Sequence, residues 1–204
     1  MMTEPFSSDE KDALQEVLNI AMGQAGDSLA RILDTFVELS VPRIRLVNVD
    51  QISQTISQMV GNNKAVTAVR QAFYHNLRGE AIVVFGRNGC RDLGDLMGYD
   101  EALDPKAEQE LLLDVTNVLV GAVLTGMMEI LGTELNFSAP CILAEQKNLT
   151  ELNFPEQFSF SHALLLEVNF TLEKRDFKSH LMLMMAEDAI DSLRQMLTEF
   201  MESI

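Results

Sequence analysis

Asp12, Glu16, Asn19, Gly23 and Gly26 follow one another at three- and four-residue steps, a spacing that lines them up as one stripe along a helix. Glu16 and Asn19 are then neighbours, with Cβ atoms ~5–6 Å apart. The stripe returns later in the chain as Glu110, Asp114, Asn117 and Gly121. A carboxylate beside a carboxamide carries charge and both donates and accepts hydrogen bonds. The sequence holds no Gly-rich phosphate loop, no metal-ligand cluster and no nucleophile motif. His75, His162 and His180 fall in strand-like contexts without Ser, Cys or carboxylate partners at motif spacing, and read as packed or surface histidines. Glycine within a helix costs about 1 kcal/mol relative to Ala, so Gly23 and Gly26 call for an offsetting reason, usually close approach by another backbone.

The elements that must position these residues come in two copies. Sliding the chain by 98 positions aligns residues 12–44 with 110–142, with Asn19/Asn117, Gly23/Gly121, Ser40/Ser138 and Pro42/Pro140 among the identical pairs. Each copy opens with a long helix. In the first, Ser8 is the expected N-cap, with Asp9 and Glu10 in the first turn, and Leu14, Leu18, Ala21, Ala25, Leu29, Ile32 and Phe36 form one apolar stripe. In the second, Pro105 lies near the start, Leu112, Val115, Leu119, Ala122, Met127 and Leu131 continue the pattern, and Gly132 ends it. Extended segments with a proline follow, Val37 to Asp50 and Leu135 to Gln146, with Pro42 and Pro140 expected at an edge, a bulge or a strand start. A short helix is expected near Gln51 to Val60. Strands are expected at Ala65 to His75 and Arg78 to Phe85, then at Phe158 to Leu172 and His180 to Met185, with Met182, Met184 and Met185 in the core. Closing helices fall at Asp92 to Met97 and Asp188 to Phe200. The result is an α+β fold, with repeats at approximately 8–98 and 105–202 forming one pseudo-twofold domain over 1–204, joined at a seam from Gly98 to Pro105.

Composition sets outer bounds. With 15 basic against 31 acidic residues the formal net charge is −16, which repels nucleic acid and anionic membrane and favours a neutral or basic partner. The simpler reading, that the charge keeps the protein soluble, stands beside it. The N-terminal residues do not read as a signal peptide, and the apolar stretch from Val118 to Leu131 reads as too short to span a bilayer. Cys90 and Cys141 make no disulfide framework, so a reducing cytoplasm is expected and both read as packing residues.

The run Asp12-x3-Glu16-x2-Asn19, with Pro42 after 22 intervening residues, resembles the signature of the CheC/CheX/FliY phosphatases. Glu110-x3-Asp114-x2-Asn117, with Pro140 after the same 22, is a variant of it. The resemblance implies a CheC-like duplicated domain, an antiparallel sheet packed with two long helices. It implies hydrolysis of the aspartyl phosphate of a CheY-like receiver domain, with catalytic residues Glu16, Asn19, Asp114 and Asn117. Asn19 and Asn117 would orient the attacking water, and Glu16 would pair with the receiver's active-site lysine. Asp12, Gly23, Glu110 and Gly121 would belong to the partner-binding face. The chain would need no cofactor or metal of its own, Mg²⁺ being held by the receiver. Asp114 stands where the pattern has Glu and reaches one methylene less far, so the Asn19 site is expected to be the stronger. Leu18 and Thr116 stand where the family has a small residue, with an effect on docking fit expected. The alternative is a non-enzymatic adaptor for a receiver, a CheD-like deamidase or a flagellar-switch partner, an option that the absence of an appended domain after Ile204 is expected to lower. Two internal sites make a monomer sufficient, with a strand-paired homodimer as the alternative.

Overall fold

The computed structural model describes residues 6–40, 43–60, 65–86, 89–96, 103–148, 162–172 and 178–203. The expectations for Pro42, for the seam at 98–102 and for a strand start at 158–161 lie outside these residues.

Helix α1 (Ser8–Leu33) starts one residue earlier than the sequence suggests, because Ser7, not Ser8, has a glutamate three positions on. Ser7 Oγ accepts the Glu10 N–H at 3.2 Å, and the Glu10 carboxylate accepts the Ser7 N–H at 2.6 Å, a closed capping box. Helix α4 (Pro105–Ile130) is capped by Asp104, which accepts the N–H groups of Lys106 and Ala107 at 2.9 Å. Pro105 occupies the first helical position, where no N–H is needed. Gly132, at φ +69°, ends the element, with the Thr133 N–H donating to the Met128 carbonyl at 2.9 Å.

The strands are β1 (Val37–Leu39), β2 (Arg43–Asn48), β3 (Ala65–His75), β4 (Gly79–Gly86), β5 (Leu135–Phe137), β6 (Cys141–Asn148), β7 (His162–Leu172) and β8 (Lys178–Met185). Each long extended segment of the sequence reading is thus two strands. They form one antiparallel sheet ordered β1-β7-β8-β4-β3-β5, with β2 also along β7 and β6 along β3. Exchanging each strand for the one four places along returns the same order reversed. Pro140 immediately precedes β6, where its missing N–H breaks no ladder.

Helices α1, α4 and α5 (Glu187–Glu202) cover one face of the sheet together with α3 (Gly89–Leu96), around a core containing Leu14, Leu18, Ala21, Leu119, Val123, Met127, Leu193 and Leu197. The other face carries a smaller cluster under α2 (Ile52–Val60), built on Ile52, Ile56, Ile82, Val84, Met182 and Met184. The central strand β4 explains its own composition. Ala81, Val83 and Phe85 enter the first core, Ile82 and Val84 the second, so a continuous apolar run is required.

Three further expectations are corrected. Phe36 leaves the apolar stripe and is 63% exposed, because the helix stops at Leu33 and Asp34 turns left-handed at φ 47°. Cys141 is exposed at the start of β6 rather than packed. By length and composition alone α4 is able to cross a bilayer, with an 18-residue window of mean hydropathy 1.8, although 61% of that window is buried in the fold.

Candidate functional site

The polar stripe of α1 faces outward as a set. Asp12, Glu16, Asn19 and Gly23 are exposed and Gly26 is half-buried, while the interleaved Leu14, Val17, Leu18, Ala21 and Ala25 are buried. Helix α4 repeats the arrangement, with Glu110, Asp114 and Asn117 exposed and Gly121 half-buried. The structure therefore puts each carboxylate–carboxamide pair on one accessible helix face, one turn apart.

Around Asn19 the surface is concave and partly apolar. Asn19, Met22, Gly23, Gly26, Asp27, Ala30, Phe36 and Val37 line a pocket of about 270 Å³. The left-handed turn at Asp34 brings Phe36 back over the end of the helix, and Ile20, also exposed at 41%, sits next to Asn19 in the chain. Asp12, Glu16 and Asp27 make the surroundings acidic, suiting a cationic contact. No side-chain hydrogen bond holds Asn19 among the described residues.

The surroundings of Asn117 differ. Gln71, in β3, donates from Nε2 to Asn117 Oδ1 at 2.8 Å and to the Ser138 carbonyl at 3.0 Å. Ser138 is itself fastened to β3. Its Oγ accepts the Ala72 N–H at 3.0 Å, and its own N–H donates to the Ala72 carbonyl at 3.0 Å. Glu110, on the same stripe, makes an exposed ion pair with Lys106 at 3.7 Å, a contact worth little by itself.

The close approach expected at Gly23 is not found: a Cβ built on Gly23 or Gly121 meets nothing within 4 Å among the described residues. Close approach occurs instead at Gly126, where α4 meets Ala21 and Gln24 of α1. Leu18 and Thr116 are fully buried and do not reach the outer face. His75 is exposed at a strand end with φ 106°. His180 does have a nearby carboxylate that motif spacing missed, Glu167 Oε1 at 3.9 Å across the sheet. Among the described residues no group of three or more His, Cys, Asp or Glu is placed to hold a metal ion. Sequence reasoning also missed Gln71. The available signal was a polar residue at an inward position between Val69 and Phe73.

Residues 10–45, which span the α1 stripe, match the model of the CheC-like family. The flagellar motor switch phosphatase FliY of Bacillus subtilis (strain 168) is 22% identical over 173 residues, 82% of this chain but 43% of that protein. The chain thus spans less than half the length of this curated relative. Among solved structures, FliY of Thermotoga maritima superposes with a TM-score of 0.75 at 21% identity, covering 96% of this chain and 98% of that one. FliM in its complex with SpeE from H. pylori gives 0.66 at 9% identity, over 98% and 100% of the two chains. A CheC-like superfamily protein from Shewanella sp. PV-4 gives 0.56 at 10% identity, over 88% and 98%. At these identities the structural matches speak for the fold.

Proposed function

We propose that this chain, which is of the CheC/CheX/FliY type, is a phosphatase that hydrolyses the aspartyl phosphate of a CheY-like receiver domain. The observation that carries the reading is the duplicated face: Glu16 with Asn19 and Asp114 with Asn117, exposed one turn apart on α1 and α4, beside glycines over open space. A helix face with no side chain at Gly23 or Gly121 lets another protein come close to the amide.

The chemistry asked of these residues is modest. The receiver brings the phosphoryl group and the Mg²⁺ that neutralises it, so catalysis here is positioning plus electrostatics. Asn19 or Asn117 holds a water in line with the phosphorus. The water oxygen attacks, the bond from phosphorus to the aspartyl oxygen breaks, and its electron pair leaves with the carboxylate. A carboxamide suits this place because it hydrogen-bonds to water without adding negative charge beside an anion. Glu16, and with shorter reach Asp114, pairs with the receiver's lysine and fixes the docking register. Asp12 and Glu110 extend the acidic face, and Phe36 and Ile20 offer apolar contact beside Asn19. Such a partner places the reaction in the cytoplasm.

A second reading is an adaptor that binds a receiver, a CheD-like deamidase or a switch protein without hydrolysis. The likeness to FliM, solved in complex with another protein, favours it. The two separate by adding the purified chain to a phosphorylated CheY-like receiver and following phosphoryl loss. Faster loss, in proportion to the amount of chain added, is the expected result. Binding with unchanged loss would establish the adaptor instead.

A further inference from the structure

Gln71 is out of place by its surroundings. It sits in the row that β3 turns toward α4, between Val69 and Phe73, and is 1% exposed. An apolar side chain is the default there, because a buried amide costs free energy unless its hydrogen bonds are made. Gln71 makes only part of its set. Both hydrogen bonds leave from Nε2, to Asn117 Oδ1 and to the Ser138 carbonyl, and Oε1 has no partner among the described residues. A half-satisfied buried amide does not contribute stability over a well-packed aliphatic residue. Its effect on a neighbour is the better explanation of its presence.

That effect has a direction. The Ser138 carbonyl only accepts, so Gln71 must turn its NH₂ group toward it and cannot flip without placing two oxygens in contact. With Nε2 fixed, Asn117 must offer Oδ1 inward. Its own NH₂ group then faces solvent, and one Oδ1 lone pair stays free. The terminal torsion of an asparagine is soft and nearly two-fold, and this contact removes the ambiguity.

The first half of the chain shows no such device among the described residues. Phe73 pairs with Phe137 of β5, and Gln71 lies two residues before it; Phe170 pairs with Leu39 of β1, and the residue two before it is Val168. Leu39 and Phe137 are 98 positions apart, as are Asn19 and Asn117. A valine therefore holds the register position of Gln71, and among the described residues no side chain donates to Asn19.

We infer that Gln71 is a positioning residue that aims the Asn117 carboxamide, so that the two sites differ in construction: one pre-aimed at Asn117, the other free at Asn19. The catalytic part of this inference rests on the phosphatase reading; the structural part does not. Gln71→Val is the informative change, since it copies the first half and removes the orphaned oxygen. In a chain carrying Asn19→Ala, it should lower kcat for receiver dephosphorylation about three- to tenfold, the worth of one hydrogen bond, with KM unchanged and the melting temperature unchanged or raised. In a chain carrying Asn117→Ala it should change nothing. Side-chain amide NMR of the free protein supplies the independent arm. The Asn117 NH₂ pair, identified by its loss in Asn117→Ala, should show reduced mobility that Gln71→Val releases. If Asn19→Ala alone abolishes turnover, the NMR arm decides. Unaltered Asn117 amide signals in Gln71→Val overturn the inference, as does a kcat that does not fall where the Asn117 site turns over.

Discussion

Gly126 of α4 stands against Ala21 of α1, with a Cβ at position 126 only 3.3 Å from the Ala21 Cα. This is where the two long helices meet without room for a side chain, and it fixes how they sit relative to one another. Gln24 Oε1, at 2.8 Å, is the flexible end of a side chain and is able to move; the Ala21 backbone is not. Gly126→Val should therefore separate the helices and lower stability by about 1–3 kcal/mol, as overpacking generally does, measured by chemical denaturation. A stability equal to the parent would show that the helix pair is not held at this contact.

The opposite is expected at Gly23 and Gly121, where an added methyl group meets nothing within 4 Å. Replacing either with Ala should raise stability by about 1 kcal/mol through helix propensity. If the open face admits a receiver, the same changes should weaken receiver binding. Stabilisation with unaltered binding would remove the glycines from the docking surface.

The contrast between these glycines marks how far the sequence could be read. Signals that act within a few residues were legible: the periodicity of Leu14, Leu18 and Ala25, Pro105 at a helix start, Gly132 at a helix end, and the apolar run of β4. The two polar stripes were legible for the same reason, since helical spacing alone sets which residues share a face. Contacts set by tertiary register were not. Gln71 reaches Asn117 across 46 positions because β3 runs under α4, which no local pattern reveals. Phe36 continues the apolar stripe by spacing, but one left-handed residue at Asp34 ends the helical period before it.

Phe36 supplies its own test. At 63% exposure it contributes little to the core, so Phe36→Ser should change folding stability by less than about 0.5 kcal/mol. It lines the pocket beside Asn19, and its loss should weaken partner binding at that site with little effect at Asn117. The measurement is receiver affinity in backgrounds that retain only one of the two asparagines. A stability loss typical of core truncation, with binding intact, would place Phe36 inside the fold.

Acid should loosen the start of α1. The Glu10 carboxyl lies below its ordinary value of 4.5, first because it accepts the Ser7 N–H, with the Ser7 hydroxyl and Arg194 adding to the effect and burial opposing it. A group held lower in the folded state stabilises it fully above the unfolded pKa, and the contribution fades as pH falls through the folded value. Glu10→Gln should be less stable than the parent near neutrality, and the gap should close below about pH 4.5. A gap that persists in acid, followed by denaturation across that range, would argue that the capping geometry matters and the charge does not.

Two carboxamides on matched helices carry the proposed activity. The most direct measurement is the rate of phosphoryl loss from a phosphorylated receiver with the parent chain and with Asn19→Ala/Asn117→Ala, after circular dichroism shows both folded. Both asparagines are exposed, so the double variant should fold as the parent does. The parent should accelerate the loss, and the double variant should return it to the receiver's own rate. Acceleration by the double variant equal to that of the parent would overturn the phosphatase reading.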